Sequence, residues 1–477
     1  MKAINKDILK LAIPSILANI TVPIVGMVDI AVAGHLDTQA AVMIGGIAIG
    51  TMLFDLLYWN FGFLRVGTGG LTAQAFGKGD RKECATIFAR AIGISLACAL
   101  ALIAIQWIFV KAAFLVVDCT PEVRALASQY FFIRIWAAPA TLSLMAFKGW
   151  FIGMQDSVSP MLTDLTVNGM NVLMSFVLAL GIKAVGYEGM GFPGIAAGTV
   201  AAQYSGLLVA VLLAVFKYRR NTFSTLSLSD LKGVFKGSET RRFFVMNTDL
   251  FVRSLCFIAI YIGFTVISAR YGDLLLAVSS IMMKLLMIFS YFTDGFAYAG
   301  EAMTGKYIGA KDAVMLRQTV KWTFVWSMGI ALIFIGIYHF AGVPLLRMMT
   351  SDVTVVEASR EYLPWLLLMP VIGCAAFTWD GIYIGATASK AIRNSMLWAV
   401  VGFTAVWFIG IACLNWLSPG IGLDSAAAGS LPASGSDVSG ATDYGRIAMH
   451  ILMAAYFAHL LARTIYLSAK YRKVVHI

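Results

Sequence analysis

The stretch from Ile8 to Leu36 reads Ile-Leu-Lys-Leu-Ala-Ile-Pro-Ser-Ile-Leu-Ala-Asn-Ile-Thr-Val-Pro-Ile-Val-Gly-Met-Val-Asp-Ile-Ala-Val-Ala-Gly-His-Leu. It is long and apolar enough to cross a bilayer, which takes roughly 20 residues. Within it stand a single carboxylate, Asp29, and two prolines, Pro14 and Pro23. An acid at membrane depth costs ~2.5–3.5 kcal/mol on insertion scales and usually faces a polar cavity. Each proline removes a backbone donor and bends a helix. The first membrane helix is therefore expected to be bent and to carry in Asp29 a group that can gain or lose a proton.

The rest of the chain extends this pattern. Of 477 residues, 60% are hydrophobic and 13% charged, with a mean hydropathy of +0.82, whereas a soluble protein carries about 25% charged residues. This is the composition of a polytopic membrane protein. The net charge of +11 does not signal nucleic acid, because most Lys and Arg fall in short connections on one side of the membrane. Six scattered cysteines without a CxxC pair predict neither a disulfide framework nor a metal site. The segment Met1–Asp7 lacks the pattern of a cleavable leader.

Apolar segments of spanning length recur twelve times, over 8–34, 41–66, 86–112, 125–150, 160–183, 194–217, 243–269, 274–300, 318–341, 358–385, 396–417 and 446–469. None alternates like a barrel strand, so the expected fold is all-α, with twelve transmembrane helices. Lys2, Lys6 and Lys10, then Lys78, Arg81 and Lys82, then Lys306 and Lys311, then Lys390 and Arg393, and finally Lys470, Arg472 and Lys473 all fall on one side if twelve spans alternate. Both termini are thus predicted cytoplasmic.

A duplication is legible. Gly77 and Asp80 after the second span match Gly309 and Asp312 after the eighth at an offset of 232 residues, and Gly149 and Gly153 match Gly381 and Gly385 at the same offset. The expected organisation is a six-helix lobe over 1–217, a cytoplasmic linker over 218–240 and a second six-helix lobe over 241–477. Parallel repeats of this kind place a cavity at their interface near the bilayer midplane. The Gly/Ser/Ala/Asp-rich stretch from Ser418 to Tyr444 is expected to be a mobile outer loop.

Charged groups inside the spans are the candidate machinery. The acids are Asp29, Asp249, Asp294, Glu301 and Asp380; the bases are Arg65, Lys148, Arg253 and Lys284. Asp249 and Arg253 are spaced i, i+4 and are expected to pair on one helix face. Glu301, near a span end, is expected to snorkel. Asp29 has no basic residue within a turn. Asn168, Asn171 and Ser175 on the fifth span, with Thr199 and Gln203 on the sixth, can share one side of their helices and form with Asp29 a hydrogen-bonded pocket. Met170, Met174, Met282, Met283, Met287, Phe289, Tyr291 and Phe292 are candidate adaptable substrate contacts.

These residues resemble a known family. Twelve spans in two halves, Pro14 upstream of Val28-Asp29, the run Phe61-Gly-Phe-Leu-Arg65-Val-Gly-Thr-Gly-Gly-Leu-Thr-Ala-Gln74, and Gly153-Met-Gln-Asp-Ser157 before Pro160 are similar to multidrug and toxic compound extrusion (MATE) transporters. Asn247-Thr-Asp249 followed by Arg253, Asp294-Gly-Phe-Ala-Tyr-Ala-Gly-Glu301 and Asp380-Gly-Ile-Tyr-Ile-Gly385 resemble the DinF branch. The resemblance implies a V-shaped, non-enzymatic exporter of amphipathic or cationic small molecules, coupled to H+ or Na+, without an organic cofactor and monomeric in the cell inner (plasma) membrane. It implies coupling-ion roles for Asp29, Asn168, Asn171, Ser175 and Thr199 and a bend at Pro14. A substrate and charge network follows from Arg65, Asp249, Arg253, Glu301 and Asp380. In several family members an Asp stands where Ser175 does, so H+ is the expected ion, with Na+ at Asp29, Asn171 and Thr199 as the alternative. A lipid-linked oligosaccharide flippase remains a further reading; it would want a strongly basic cavity.

Overall fold

In a computed structural model, residues 2–34, 40–115, 117, 119–182, 186–227, 233, 235, 238–350, 352–417 and 437–474 are described. The first half of the chain builds α1 (Lys2–Gly34), α2 (Ala40–Trp59), α3 (Phe63–Gly77), α4 (Arg81–Ala113), α5 (Pro121–Arg134), α6 (Ala138–Gly153), α7 (Val158–Leu180) and α8 (Phe192–Tyr218). The second builds α9 (Ser238–Ala269), α10 (Asp273–Gly309), α11 (Ala313–Met349), α12 (Val353–Arg360), α13 (Leu363–Gly385), α14 (Ser389–Leu417) and α15 (Asp437–Val474). Short 3₁₀ turns join α2 to α3 and α5 to α6. Among the described residues, eleven helical spans, all after α1, are long and apolar enough to cross a membrane, which makes this an all-α membrane protein.

Several boundaries differ from those of the apolar runs. The second span continues to Gly77 and the third begins at Arg81. The tenth begins at Leu363, because α12 is a separate short helix. Of the expected outer loop, 418–436 lies outside the described residues, and the chain is already helical from Asp437. Hydrophobicity marks only the part of a helix inside the bilayer; the polar turns beyond it are fixed by caps. The Asp80 carboxylate accepts from the Glu83 amide at 2.8 Å and the Asp312 carboxylate from the Met315 amide at 2.9 Å, each satisfying an otherwise orphaned donor at a helix start.

These caps are related by the 232-residue register, and the register governs the packing. Positive-φ residues recur in pairs, Gln155 with Thr387 and Gly79 with Lys311. A Cβ on Gly77 would strike the backbone carbonyl of Lys306, and one on Gly309 would strike that of Gln74. Each contact is the other's image with the two halves exchanged, as a pseudo-two-fold axis requires. The seam is fastened by hydrogen bonds across it: Gln74 Nε2 donates to the Gly385 carbonyl at 3.0 Å, and Gln155 Nε2 to the Ala302 carbonyl at 2.7 Å. Helix α3 stays helical despite its glycines because they let backbones meet.

The core explains the overall arrangement. One cluster, around Ile8, Leu71, Trp150, Phe243, Tyr307 and Tyr383, draws on both halves at this Lys/Arg-rich end. Two others, around Phe54 and Phe131 in the first half and Phe289 and Tyr362 in the second, are separate. The halves are fused at one end and have their own cores toward the other. Helix α1 packs on α7 and also across on α10. It runs through Pro14 and Pro23 without interruption. Pro14 leaves the Lys10 carbonyl without its intrahelical donor, and Ser157 Oγ supplies one at 3.0 Å.

Candidate functional site

Two polar clusters lie within the apolar bulk. The first is built where α1, α7 and α8 meet. Asp29 is buried, and its carboxylate accepts from Ser175 Oγ at 3.0 Å. Asn171 Nδ2 donates to Thr199 Oγ1 at 3.0 Å, while Asn171 Oδ1 is buried without a partner. Asn168 Nδ2 donates to Thr21 Oγ1 at 2.5 Å. The helical spacing of Asn168, Asn171 and Ser175 thus brings all three to one side, with Asn168 meeting α1 a little over two turns before Asp29. Among the described residues, Asp29 forms no ion pair. Arg134 of α5 lies within electrostatic reach of Asp29, but its own hydrogen bond, at 3.0 Å, goes to the Tyr130 hydroxyl, and it stacks over Phe54.

The second cluster sits between the halves. Arg65 of α3 donates to Glu301 of α10 at 3.1 Å and lies 4.5 Å above the Tyr298 ring. Glu301 is fully buried and does not snorkel; a cation from the opposite half holds it inside, in space left by Gly69. Asp249 and Arg253 do not pair with each other. Asp249 binds Arg393 at 2.6 Å and Ser389 at 2.7 Å, both on α14. Arg253 binds Asp380 of α13 at 2.8 Å, and Arg463 of α15 binds the same carboxylate oxygen. An i, i+4 pair on an exposed helix has only itself and water; inside a bundle, neighbouring helices offer partners with better geometry. Arg393, half-buried, therefore serves as the partner of the buried Asp249, although it reads as a loop cation. The expected base Lys148 pairs with Asp164 at 2.7 Å; Asp164 and Arg463 are the charges that the sequence reading did not single out, although a charge inside an apolar run was signal enough.

A cavity of about 370 Å³ opens onto this cluster, lined by Arg65, Arg253 and Arg463 and by Asp294, Glu301 and Asp380, with Trp59, Met287 and Tyr291 among its apolar walls. Three guanidiniums face three carboxylates. Arg253 Nε, Arg463 Nε, Glu301 Oε1 and Asp380 Oδ1 are buried behind the cavity wall with no partner. Of the adaptable residues proposed for contact, Met287 and Tyr291 reach the cavity, whereas Met282, Met283 and Phe289 pack in the second half's core.

Comparison with known proteins decides the family. The MatE family model matches residues 14–177 and 250–408. The chain belongs to the MatE family. It is 32% identical over 415 residues to DNA damage-inducible protein F of Escherichia coli (strain K12), covering 87% of this chain and 86% of that protein. It is 23% identical to a probable multidrug resistance protein NorM of Photorhabdus laumondii, covering 88% and 90%. Among solved structures, the outward-facing conformation of a multidrug resistance MATE family transporter matches with a TM-score of 0.76 at 15% identity, over 99% of this chain and 96% of that one. A transporter of the same superfamily from Pyrococcus furiosus, described as having a binding pocket of reversed polarity, also gives 0.76, at 16% identity over 99% and 96%. This MatE protein is thus a multi-pass membrane transporter of the DinF type.

Proposed function

We propose that this MatE transporter exports amphipathic or cationic small molecules by alternating access, in exchange for H+ carried on Asp29. The observation that carries the reading is a contrast among carboxylates. Asp249, Glu301 and Asp380 are each held by a guanidinium, whereas Asp29 is buried against a hydroxyl. A carboxylate locked to a cation keeps its charge; one held by a hydroxyl can exchange it for a proton. When Asp29 takes up H+ from the outer side, the hydrogen bond from Ser175 loses its charge assistance. The Asn171–Thr199 bond beside it rearranges, and α1 gives way at Pro14, where the helix already lacks a bond. The cavity then changes shape and releases its guest, and the lobes rock inward to discharge the proton. Exchange of one H+ for one monovalent cation is electrically silent, so the pH gradient drives it at about 1.4 kcal/mol per pH unit.

In this reading residues 1–217 and 241–477 are the rocking lobes and 218–240 their cytoplasmic linker. The protein is a monomer in the inner membrane with both termini cytoplasmic, and it needs no cofactor beyond the coupling ion. One observation favours Na+ as a second reading: the unpartnered Asn171 Oδ1 would complete a set of hard oxygen ligands with Asp29 and Thr199. A single carboxylate gives that set little charge compensation. The balanced cavity offers no excess of cations for a pyrophosphate, which counts against a lipid-linked oligosaccharide flippase. The test is dye exchange by proteoliposomes under separately imposed pH and Na+ gradients. A pH gradient alone should drive wild-type exchange and fail with Asp29→Asn; full exchange by that variant, or exchange driven by Na+ alone, would reject H+ carriage at Asp29.

A further inference from the structure

Two grooves at the Lys/Arg-rich end share a feature that the transport reading does not use, and the second reaches Ser389, whose hydroxyl binds Asp249. The first is lined by Asn5, Lys6, Leu9, Lys10, Ile13, Pro14 and Val158 and has a volume of about 670 Å³. The second is lined by Arg241, Arg242, Val245, Met246, Thr387 and Ser389, with about 360 Å³. Shifted by 232 residues, Leu9, Lys10, Ile13 and Pro14 become Arg241, Arg242, Val245 and Met246. The duplication has therefore placed a groove at four matching positions at the Lys/Arg-rich end of each half, with Lys10 and Arg242 as the equivalent cations. Each has a pair of exposed cations at its mouth, Lys6 with Lys10 and Arg241 with Arg242. Each continues into apolar side chains, Ile13 and Val158 in one and Val245 in the other, that are themselves 37–50% exposed. From Lys6 to Ile13 a helix rises about 10 Å.

We propose that these grooves are paired binding sites for anionic phospholipid, with the phosphate at the cations and an acyl chain along the apolar floor. Charge selects the occupant: two cations with no acid among either groove's lining residues match a phosphate, and the floor matches a chain that already fills the surrounding bilayer. Both sites touch moving parts. Pro14 forms the wall of the first groove. In the second, Arg242 also donates to Thr387 Oγ1 at 3.1 Å and, across the seam, to Gln74 Oε1 at 3.4 Å. A phosphate that draws Arg242 away loosens the seam, so lipid charge would tune how readily the halves part.

The test is native mass spectrometry of the full chain released from phosphatidylglycerol or phosphatidylcholine nanodiscs. Wild type should retain two more phosphatidylglycerol molecules than Lys6→Gln/Lys10→Gln/Arg241→Gln/Arg242→Gln, and each paired variant should lose one. Titration should show about fivefold weaker binding per cation removed, with no competition by millimolar inorganic phosphate. Equal retention by wild type and the fourfold variant, or of both lipids, would overturn the proposal. Competition by free phosphate would also overturn it, since the apolar floor would then contribute nothing. The two paired variants keep the test decisive if the fourfold variant does not fold.

Discussion

Adding one methyl group at Gly77 should open the seam between the halves without unfolding either. The Cβ of Gly77→Ala would meet the Lys306 carbonyl oxygen head-on, with the carbonyl carbon at 2.7 Å and the Cα at 2.9 Å. All three are backbone atoms of a helix and cannot swing aside as a side-chain tip would. Overpacking of this kind costs ~1–3 kcal/mol. Within its own helix, where Gly77 is the last residue and has no positive φ, alanine carries no penalty. The penalty therefore falls on the contact between halves, and the ratio of closed to open seam should drop by roughly 5- to 150-fold. Spin labels on cysteines replacing the exposed Arg219 and Arg472, in a cysteine-free background, would report the change as a longer distance population in double electron–electron resonance. Gly309→Ala, striking Gln74 in the mirrored contact, should do the same. An unchanged distance distribution in both variants, with the substitutions verified, would refute the reasoning.

Three further outcomes follow from the packing. Arg393→Ala should destabilise the protein by ~3–5 kcal/mol because it strands the buried charge of Asp249, and Asp249→Asn by less because Arg393 is 32% exposed, with the double variant losing less than the sum; additive losses in detergent unfolding would contradict the pair. Lys311 holds the positive φ of 56° that glycine holds at the matching Gly79, so Lys311→Gly should raise the melting midpoint slightly and Gly79→Ala lower it. Outside the spans, hydrogen bonds from Arg446 at 2.9 Å hold Glu361 below its ordinary carboxylate value. That contribution is complete above pH ~4.3, the unfolded value, and is lost as pH falls through the lowered native value. Glu361→Gln should therefore flatten this part of the acid melting profile; an unaltered profile would show the pair to be screened away.

The fold was legible because two signals agreed. Hydrophobic runs gave the spans, and the glycine and aspartate pairs at a 232-residue offset gave the duplication that the caps, the left-handed residues and the mirrored seam contacts repeat. The first polar cluster was legible too, since helical spacing alone puts Asn168, Asn171 and Ser175 on one side. The second was not. Spacing identified Asp249 and Arg253 as neighbours but could not weigh Arg393 and Asp380, which lie 144 and 127 residues further along. Glu301 was misplaced because its partner, Arg65, belongs to the other half. Long-range ion pairs depend on how helices are arranged, and an apolar run carries little information about that.

The central claim is that Asp29 surrenders or accepts one proton as a guest binds. Proton release on binding of a cationic dye to the purified protein, measured by calorimetry in buffers of different ionisation enthalpy, tests it most directly. Close to one proton per dye bound by wild type at a pH where Asp29 is protonated, and none by Asp29→Asn with binding retained, is the expected result. The same release from both proteins would contradict the account.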